Sequence, residues 1–542
     1  MAEIAAPAEG AAAPPPPPAG VPAHEPNASF ADWVAVTAGA LGALMAVLDI
    51  SITNSALPQV QGSVGATGTE GTWISTGYLM AEIVVIPLAA WLTRVFGLRN
   101  FLVGVALLFT LFSALCGLST SLGMLVVARI GQGITGGAMI PTGQTIIRTR
   151  LPRHQLAAGM TVFGLTVLLG PLLGPVVGGW LTENVSWRWC FFINVPVCTA
   201  LVALLAAGLP AERARLREFV EADWLGIAGL ALGLSTLTAV LEEGQRERWF
   251  ESELIIGLSV LSLIGMTLIA LSQRYAKRPI LRLSLMQNKS YASVILIVVV
   301  MGAGFYGVAY LVPQFLVLIA GYNAQQSGAV MLLTGVPSIL MMPLLPRLLG
   351  RMDYRVLVIC GLLCFALSCW LDCSLTAQSA AGDFTISQLL RGVGQMLAMM
   401  PLNQASMAAV TREESGDAAG LYNMARNLGG SIGLAVLGTF IDRRNALHED
   451  VIGSTVSANA QLTQDRVAMG AAGHLAEVGD YAHAKLQAIA EIALQIQQQA
   501  LVMTFSETFY VLGIALLACI PLALLIKTPR PGAAAAPAEA GH

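Results

Sequence analysis

Hydrophobic positions in this sequence form long segments that are separated by shorter polar ones. We find fourteen apolar segments of near-spanning length, at about 34–57, 72–92, 99–118, 122–146, 157–181, 190–209, 223–241, 254–273, 291–318, 326–346, 354–372, 386–409, 419–441 and 504–526. About twenty helical residues cross the ~30 Å hydrocarbon layer of a bilayer, where a helix satisfies all its own backbone groups. The pattern predicts an all-α membrane protein with fourteen transmembrane helices.

Composition supports this class. The chain is 56% hydrophobic and only 11% charged, whereas soluble domains carry about 25% charged residues. The net charge of -3 and the lack of a basic tail argue against a nucleic-acid partner. The eight cysteines have no accompanying His or carboxylate cluster, so apolar packing is favoured over metal binding. We expect no metal and no cofactor.

Basic loop residues predict the orientation of the bundle. If the N-terminus is cytoplasmic, the inner loops hold most of the 29 Lys and Arg residues, as the positive-inside rule requires. An even number of spans then places the C-terminus on the same side. The Ala/Pro-rich start lacks the basic n-region of a signal peptide and predicts a disordered cytoplasmic tail.

A faint internal repeat predicts two pseudo-symmetric six-helix bundles. Arg129 in the fourth segment is echoed by Arg391 in the twelfth. Repeated halves with a site between them are a transporter architecture. The predicted parts are a tail at 1–32, an N-terminal bundle at 33–209, two additional linker helices at 210–290, a C-terminal bundle at 291–530 that includes a long periplasmic loop at 442–503, and a disordered cytoplasmic tail at 531–542.

Charged residues inside the apolar segments are the candidate functional groups. Asp49 interrupts the first segment, where a carboxylate costs roughly 2.5–3.5 kcal/mol, and Asn54 adds an amide nearby. By residue count Asp49 and Arg129 lie at similar depths, about 12 and 11 Å, so they could form an ion pair. Gln132 shares a helix face with Arg129. This pair is either a permanent structural contact or a coupling pair, and Glu82 is either a hydrogen-bonded core carboxyl or a second proton or cation site.

The fifth segment carries a glycine face. Gly170, Gly174 and Gly178 are spaced four apart, which lets a neighbouring backbone approach closely. Pro171 and Pro175 weaken the helical hydrogen bonds of the same segment. The face predicts either plain helix packing or a bending hinge or sealing surface.

Two enzyme-like patterns lack the context that their chemistry requires. Gly131–Gly136 matches a dinucleotide fingerprint without a preceding strand, and Gly429–Gly433 matches a nucleophile elbow in mid-span without a histidine in any span. No P-loop occurs, so ATP is not the expected energy source. The sequence predicts a protein that is not an enzyme.

The predicted outer loop contains one amphipathic helix. Leu486, Ile489, Ala493, Ile496 and Ala500 repeat at helical spacing. We expect this helix to pack on the outer surface of the bundle. Otherwise it offers a docking site to a periplasmic partner.

Several blocks occur together in a fixed order along the chain. They are Leu48–Pro58, Gly71–Trp73, Arg129–Gly137, Gly174–Gly179, Trp187–Trp189, Phe192–Pro196, Asp223–Gly226, Glu243–Gln245, Trp249–Phe250 and Arg426–Ser431. With these blocks the sequence resembles the fourteen-span drug:proton antiporters of the major facilitator superfamily, specifically the EmrB branch of the EmrB/QacA subfamily. The resemblance extends from about residue 33 to residue 529.

The resemblance implies roles for matching residues. Asp49 corresponds to a first-helix acid linked to coupling and substrate binding, and Arg129 to an arginine associated with proton transfer. Gly174 to Gly179 corresponds to an exporter motif that is thought to bias direction and limit leak. Arg94 and Ala90 stand where the superfamily has an aspartate and a glycine, which puts the usual cytoplasmic acid–arginine latch in doubt.

We therefore predict a proton-coupled multidrug exporter in a bacterial inner membrane, with both termini cytoplasmic. It would carry hydrophobic or amphipathic compounds by alternating access. The resemblance implies a membrane-fusion adaptor and an outer-membrane channel as partners. The alternatives are an exporter of one endogenous metabolite such as a fatty acid or siderophore, an uncoupled facilitator, or a non-transporting receptor. Secondary polar candidates are Asn54, Gln132, Arg391 and Arg426.

Overall fold

The computed structural model describes residues 26–276, 279–341, 343–411, 414–457 and 459–527, and every regular element in these ranges is a helix. The predicted C-terminal tail and residues 1–25 lie outside the described residues. The first helix begins at Phe30, so the last residues of the predicted N-terminal tail are helical.

The N-terminal half contains six spans, the last of them in two pieces. The helices are α1 Phe30–Val64, α2 Gly68–Gly71, α3 Trp73–Phe96, α4 Leu98–Gly117, α5 Leu122–Arg150, α6 Leu156–Asn184, α7 Trp189–Phe192 and α8 Asn194–Gly208. A capping box between Ser29 and Asp32 begins α1, and Gly65 ends it in the left-handed conformation that glycine tolerates. Helix α1 packs against α5, α6 and α8, while α3 packs against α5.

Two linker spans follow and lie beside the joint between the halves. The helices are α9 Leu216–Val220, α10 Trp224–Glu243 and α11 Glu253–Tyr275. Gly233 and Gly265 face each other, and because neither has a side chain the backbones of α10 and α11 come into contact. Helix α10 also packs against α3 of the N-terminal half.

The C-terminal half contains the remaining spans. The helices are α12 Lys289–Leu318, α13 Ala324–Leu332, α14 Gly335–Met341, α15 Leu345–Arg351, α16 Tyr354–Leu371, α17 Thr385–Ala408, α18 Ser415–Thr455, α19 Gln461–Val478, α20 Tyr481–Ala518 and α21 Ile520–Ala523. Short 3-10 helices occur at Arg153–Gln155, Trp249–Glu251, Leu283–Gln287, Asp372–Ser374 and Ala381–Phe384. Helix α18 packs against α12, and α16 packs against α17 and α20.

All fourteen predicted segments fall on helices, which confirms the predicted helical bundle. By length and apolar composition, twelve helices of the described chain can cross a membrane, or thirteen if a pair bent by 56° within 325–351 counts as one span. Helix α17 is not among them. It buries Gln388, Arg391 and Gln395 against its neighbours, and these polar residues lower its mean hydropathy.

The predicted outer loop is largely helical. Helices α18 and α20 continue beyond the bundle, and α19 packs against the outer part of α20 through Ala471, Ala484 and Ala488. The expectation that the amphipathic helix packs on the bundle surface holds only at its inner end, where Ala500 is buried and Gln498 donates to the carbonyl oxygen of Ile319, and it is wrong for the outer part. Leu486 and Ile489 stay exposed because α20 uses its alanine face to pair with α19. We call this α19–α20 unit the outer hairpin.

The halves meet along a few helices. Helix α18 contacts α3 and α5, and α6 contacts α13 and α14. Helix α10 contacts both α3 and α18, so a linker helix touches each half at this joint. Ionisable side chains on these helices are therefore placed where relative movement of the halves would change their surroundings.

Candidate functional site

Asp49 and Arg129 form a buried ion pair inside the N-terminal half. Nη1 of Arg129 lies 2.5 Å from Oδ2 of Asp49, and neither side chain has any exposed surface. The two residues lie on α1 and α5, which pack directly against each other. Asp49 therefore faces protein rather than lipid.

Amide groups complete the coordination of the Asp49 carboxylate. Nδ2 of Asn194 donates to Oδ1 of Asp49 at 2.6 Å, and Nε2 of Gln132 donates to the same oxygen at 3.2 Å. Both amides also donate to Oγ of Ser113, at 3.1 Å from Asn194 and 2.7 Å from Gln132. The network thus joins α1, α4, α5 and α8. We call these five residues, Asp49, Ser113, Arg129, Gln132 and Asn194, the acid network.

The guanidinium of Arg129 has further partners on α3. Its Nε donates to the carbonyl oxygen of Ile74 at 3.2 Å, and its Cζ lies 4.4 Å from the centroid of the Tyr78 ring. Such a cation–π contact is strong where water is excluded. Nη2 of Arg129 and Oδ1 of Asn194 are buried without a hydrogen-bond partner among the described residues. Both atoms could take new partners if the helices move.

Glu82 occupies a different position, at the joint between the halves. Its side chain is 2% exposed on α3. It hydrogen-bonds Asn427 and is attracted by the guanidinium of Arg426, and both residues belong to α18 of the other half. Unlike the acid network, this contact would change whenever α3 and α18 separate.

A second charged contact joins the halves at the C-terminal ends of α3 and α5. We call this region the basic end. Nη1 of Arg94 lies 3.3 Å from Oδ1 of Asp417, and Nε of Arg282 lies 2.9 Å from Oδ2 of the same carboxylate. Nη2 of Arg148 donates to the carbonyl oxygen of Met407 at 2.8 Å. An acid–arginine contact is therefore present at this end, with the basic residue on α3.

The glycine face packs α6 directly against α1. Gly170 lies against Val47, Gly174 against Ser51, and a side chain at Gly178 would collide with Ser55. Gly179 has no atom of the described residues within 4 Å of where a side chain would begin. The face therefore brings α6 against the helix that carries Asp49, and Pro175 on α6 contacts Gly328 on α13 of the other half.

The secondary candidates divide between the two halves. Gln132 belongs to the acid network and Arg426 faces Glu82, whereas Asn54 is exposed and accepts a hydrogen bond from Ser75. Nη2 of Arg391 lies 2.5 Å from Oδ2 of Asp372 in a second buried ion pair. That pair lies wholly within the C-terminal half. Arg129 and the corresponding residue Arg391 therefore each form a buried ion pair, one in each half.

Sequence reasoning did not assign Asn194 or Ser113 to the site. Asn194 occurs in the Phe192–Pro196 block, as a buried amide at the start of α8. Its position as a polar residue at the start of an apolar span was the signal that could have identified Asn194 as a site residue. No such signal exists in the sequence for Ser113, because serine and threonine hydroxyls are common in membrane-spanning helices.

The fold and these sites together define a class of protein. A bundle of membrane-spanning helices, a buried charge network within one half and ionisable contacts across the joint are the features of a membrane transporter, not of an enzyme.

Comparison with known proteins identifies the family. The sequence pattern of the Major Facilitator Superfamily matches residues 39–434. The chain is 33% identical to the colistin resistance protein EmrB of Acinetobacter baumannii, over 89% of this chain and 94% of that protein. It is 28% identical to the multidrug export protein EmrB of Escherichia coli K12, over 90% and 94%, and 29% identical to the fatty acid resistance protein FarB of Neisseria gonorrhoeae, over 92% and 96%.

Solved structures agree on the fold. The human organic anion transporter MFSD10 superposes with a TM-score of 0.56 at 15% identity, covering 90% of this chain and 99% of that one. This chain belongs to the Major Facilitator Superfamily and, with its relatives, to the EmrB branch of multidrug efflux transporters.

Proposed function

We propose that this protein is a proton-coupled exporter of hydrophobic or amphipathic compounds and that Asp49 is its coupling carboxylate. The observation that supports this proposal is the acid network. A carboxylate with no exposed surface is held by one guanidinium and two amides from two other helices, α5 and α8. Buried ionisable groups of this kind in membrane proteins mark ion and substrate paths.

The network offers a simple way to couple protons to movement. Protonation of Asp49 removes the charge that holds Arg129, so the guanidinium is free to exchange partners. Glu82 would respond separately, because its partners Arg426 and Asn427 lie on the other half. Coupling then requires only that proton and compound favour different conformations of the halves.

The relatives support export of toxic compounds. Two of them are named for colistin resistance and multidrug export. The fatty acid resistance protein FarB supports an alternative in which one amphipathic acid is the main cargo. Arg426, which faces the joint, would then bind the carboxylate. Transport of neutral toxins by the intact protein would favour the multidrug proposal over this one.

The proposed setting is a bacterial inner membrane with both termini in the cytoplasm. The basic end, with Arg94 and Arg148, would face the cytoplasm by the positive-inside rule. The outer hairpin would then project into the periplasm. Its exposed Leu462, Met469 and Leu486 support contact with a membrane-fusion adaptor that leads to an outer-membrane channel.

Everted membrane vesicles test the coupling. Addition of a transported compound to acidified wild-type vesicles should release protons, and Asp49→Asn should abolish this release. Asp372→Asn is the matched control, because it removes a buried ion-paired carboxylate within the other half. We expect the control to retain proton release at equal protein levels. Full drug-driven proton release by Asp49→Asn would contradict the proposal.

A further inference from the structure

We propose that Asn194 is a positioning residue whose side-chain amide reverses its orientation when Asp49 is protonated. Nδ2 of the amide donates to the charged carboxylate, and Oδ1 of the reversed amide accepts the O–H of the protonated acid. This inference rests on the proposed coupling role of Asp49. It extends that role to a residue of α8 that lies outside the ion pair.

The Asp49 carboxylate is surrounded by hydrogen-bond donors. Its Oδ2 contacts Nη1 of Arg129 at 2.5 Å, and its Oδ1 accepts from Asn194 at 2.6 Å and from Gln132 at 3.2 Å. An ionised carboxylate is an acceptor only, so this set of donors fits the charged form. A protonated carboxyl group carries an O–H that must itself donate, and none of these three nitrogen groups can accept it. The protonated form therefore requires an acceptor.

The acid network contains one oxygen that can serve as this acceptor. Oε1 of Gln132 already receives Nη1 of Arg129 at 2.9 Å and Sγ of Cys116 at 3.1 Å. Oγ of Ser113 already receives the amides of Gln132 and Asn194. Oδ1 of Asn194 is buried and has no hydrogen-bond partner in the described part of the chain. Asn194 therefore carries the available acceptor.

Rotation of the Asn194 amide about its Cβ–Cγ bond exchanges the positions of Nδ2 and Oδ1. Oδ1 then occupies the present position of Nδ2, which is within hydrogen-bond distance of Oδ1 of Asp49 and of Oγ of Ser113. There it accepts the O–H of protonated Asp49 and the hydroxyl proton of Ser113, whose oxygen receives two amides in the charged state. Asn194 therefore makes two hydrogen bonds in each protonation state.

Gln132 cannot respond in the same way, although it also contacts Asp49. Reversal of its amide would turn an NH₂ group toward Nη1 of Arg129, and two donors would then face each other. The bond from Cys116 would also be lost. The reversal is therefore specific to Asn194.

The reversal determines which helix protonation releases. Protonation of Asp49 removes the charge that holds Arg129 on α5. The reversed amide meanwhile keeps α8 bonded to Asp49 on α1 and to Ser113 on α4. We therefore expect α1, α4 and α8 to stay together while the contact with α5 weakens.

Other ionisable groups near Asp49 do not replace this response. Arg129 stays charged, and the tyrosine and cysteines that face Asp49 are neutral at physiological pH. These neutral groups are Tyr78 on α3, Cys116 on α4, Cys190 on α7 and Cys198 on α8. Helix α6 has no ionisable residue before Glu183, near its end. Glu82 on α3 is the other carboxyl group in electrostatic range of Arg129, so its titration must be separated from that of Asp49.

Infrared difference spectra of the purified full-length protein in nanodiscs test the inference. Spectra are recorded between about pH 9 and about pH 5, with asparagine labelled by ¹³C at the side-chain carbonyl. The carboxylic acid band of Asp49 is the one that is absent from Asp49→Asn, whereas a band of Glu82 persists there. The labelled carbonyl band of Asn194 is the one that is absent from Asn194→Thr.

We expect the Asn194 carbonyl frequency to fall as the Asp49 acid band appears, because the carbonyl accepts hydrogen bonds only in the protonated state. In Asp49→Asn the Asn194 band should not respond to pH. Asn423→Leu is the matched control, because Asn423 is also fully buried with an Oδ1 that lacks a partner among the described residues. This control should keep the pH-dependent Asn194 band.

The pH midpoint of the Asp49 band gives a second readout. Asn194→Leu should leave this midpoint within about half a pH unit of the wild type, because the variant loses a hydrogen bond in both protonation states. If Asn194 only donated to the carboxylate, its removal would favour the protonated form and raise the midpoint by about one pH unit or more. Asn194→Thr, whose hydroxyl can donate and accept, takes the place of Asn194→Leu if size-exclusion profiles show that the latter fails to fold.

Two results would overturn the inference. One is an Asn194 carbonyl frequency that stays constant while Asp49 is protonated, and the other is a midpoint raised by one pH unit or more in the Asn194 variant. Either result can occur with normal drug-driven proton release. Failure of the proposed export function is a separate observation, namely the absence of drug-driven proton release in wild-type vesicles.

Discussion

Replacing Arg129 by methionine tests the energetic role of the acid network. The substitution keeps an unbranched side chain of similar reach but removes the guanidinium. Asp49 then stays fully buried with two amide donors, Asn194 and Gln132, in place of three donors. The ring of Tyr78 also loses its cationic partner.

The expected loss of stability follows from this geometry. Removing one partner of a buried ion pair costs about 3–5 kcal/mol, because the remaining charge is unpaired. Two amide hydrogen bonds still stabilise the Asp49 carboxylate, so we expect about 3 kcal/mol for Arg129→Met. The double variant Asp49→Asn/Arg129→Met has no unpaired charge. It should therefore recover about half of that loss or more.

Reversible unfolding in mixed detergent micelles, followed by circular dichroism, measures these differences. The single variant should unfold at a lower denaturant fraction than the double variant, and the wild type at a higher fraction than both. Both variants should lack drug-driven proton release. If Arg129→Met is as stable as the wild type, or if the double variant is less stable than the single one, the ion pair does not have the proposed role.

Two further predictions concern the contacts between helices. Gly174→Ala should lower the melting temperature, because the added methyl group collides with Ser51 on α1 and overpacking costs about 1–3 kcal/mol. Gly179→Ala should leave the melting temperature unchanged, because that position is open. Equal melting temperatures for the two variants would refute the packing role. Asp417→Asn should speed hydrogen exchange at the ends of α3 and α18 that meet at the basic end, since it weakens the contacts with Arg94 and Arg282, and it should leave the outer hairpin unchanged. Unchanged exchange at the basic end would show that these ion pairs do not hold the halves together.

The helical architecture could be predicted because its signal is local. A run of about twenty apolar residues is readable without knowledge of the neighbours, and each predicted segment falls on a helix. The contact of Asp49 with Arg129 could be expected in the same way, from depth along each span. The alanine face of α20 that pairs with α19 was missed, because the more prominent Leu and Ile face of the same helix suggested packing on the bundle.

Other parts of the site depend on which helices become neighbours. Asn194 and Ser113 reach Asp49 only because α8 and α4 pack around α1. Glu82 and Arg426 are distant in sequence, and no periodicity connects them. Glu242 and Glu243 are adjacent in the chain, but one contacts α18 and the other α3.

The sequence by itself determined the class of this protein, its helices and the cost of its buried charges. All of these follow from the free energy of placing each side chain in hydrocarbon, which depends on the residue and its depth. Only the tertiary structure decided which buried charges are paired, which lie at the joint and which keep an accessible surface. Pairing is a property of two helices at once, because electrostatic and hydrogen-bond energies depend on distances that no single span specifies.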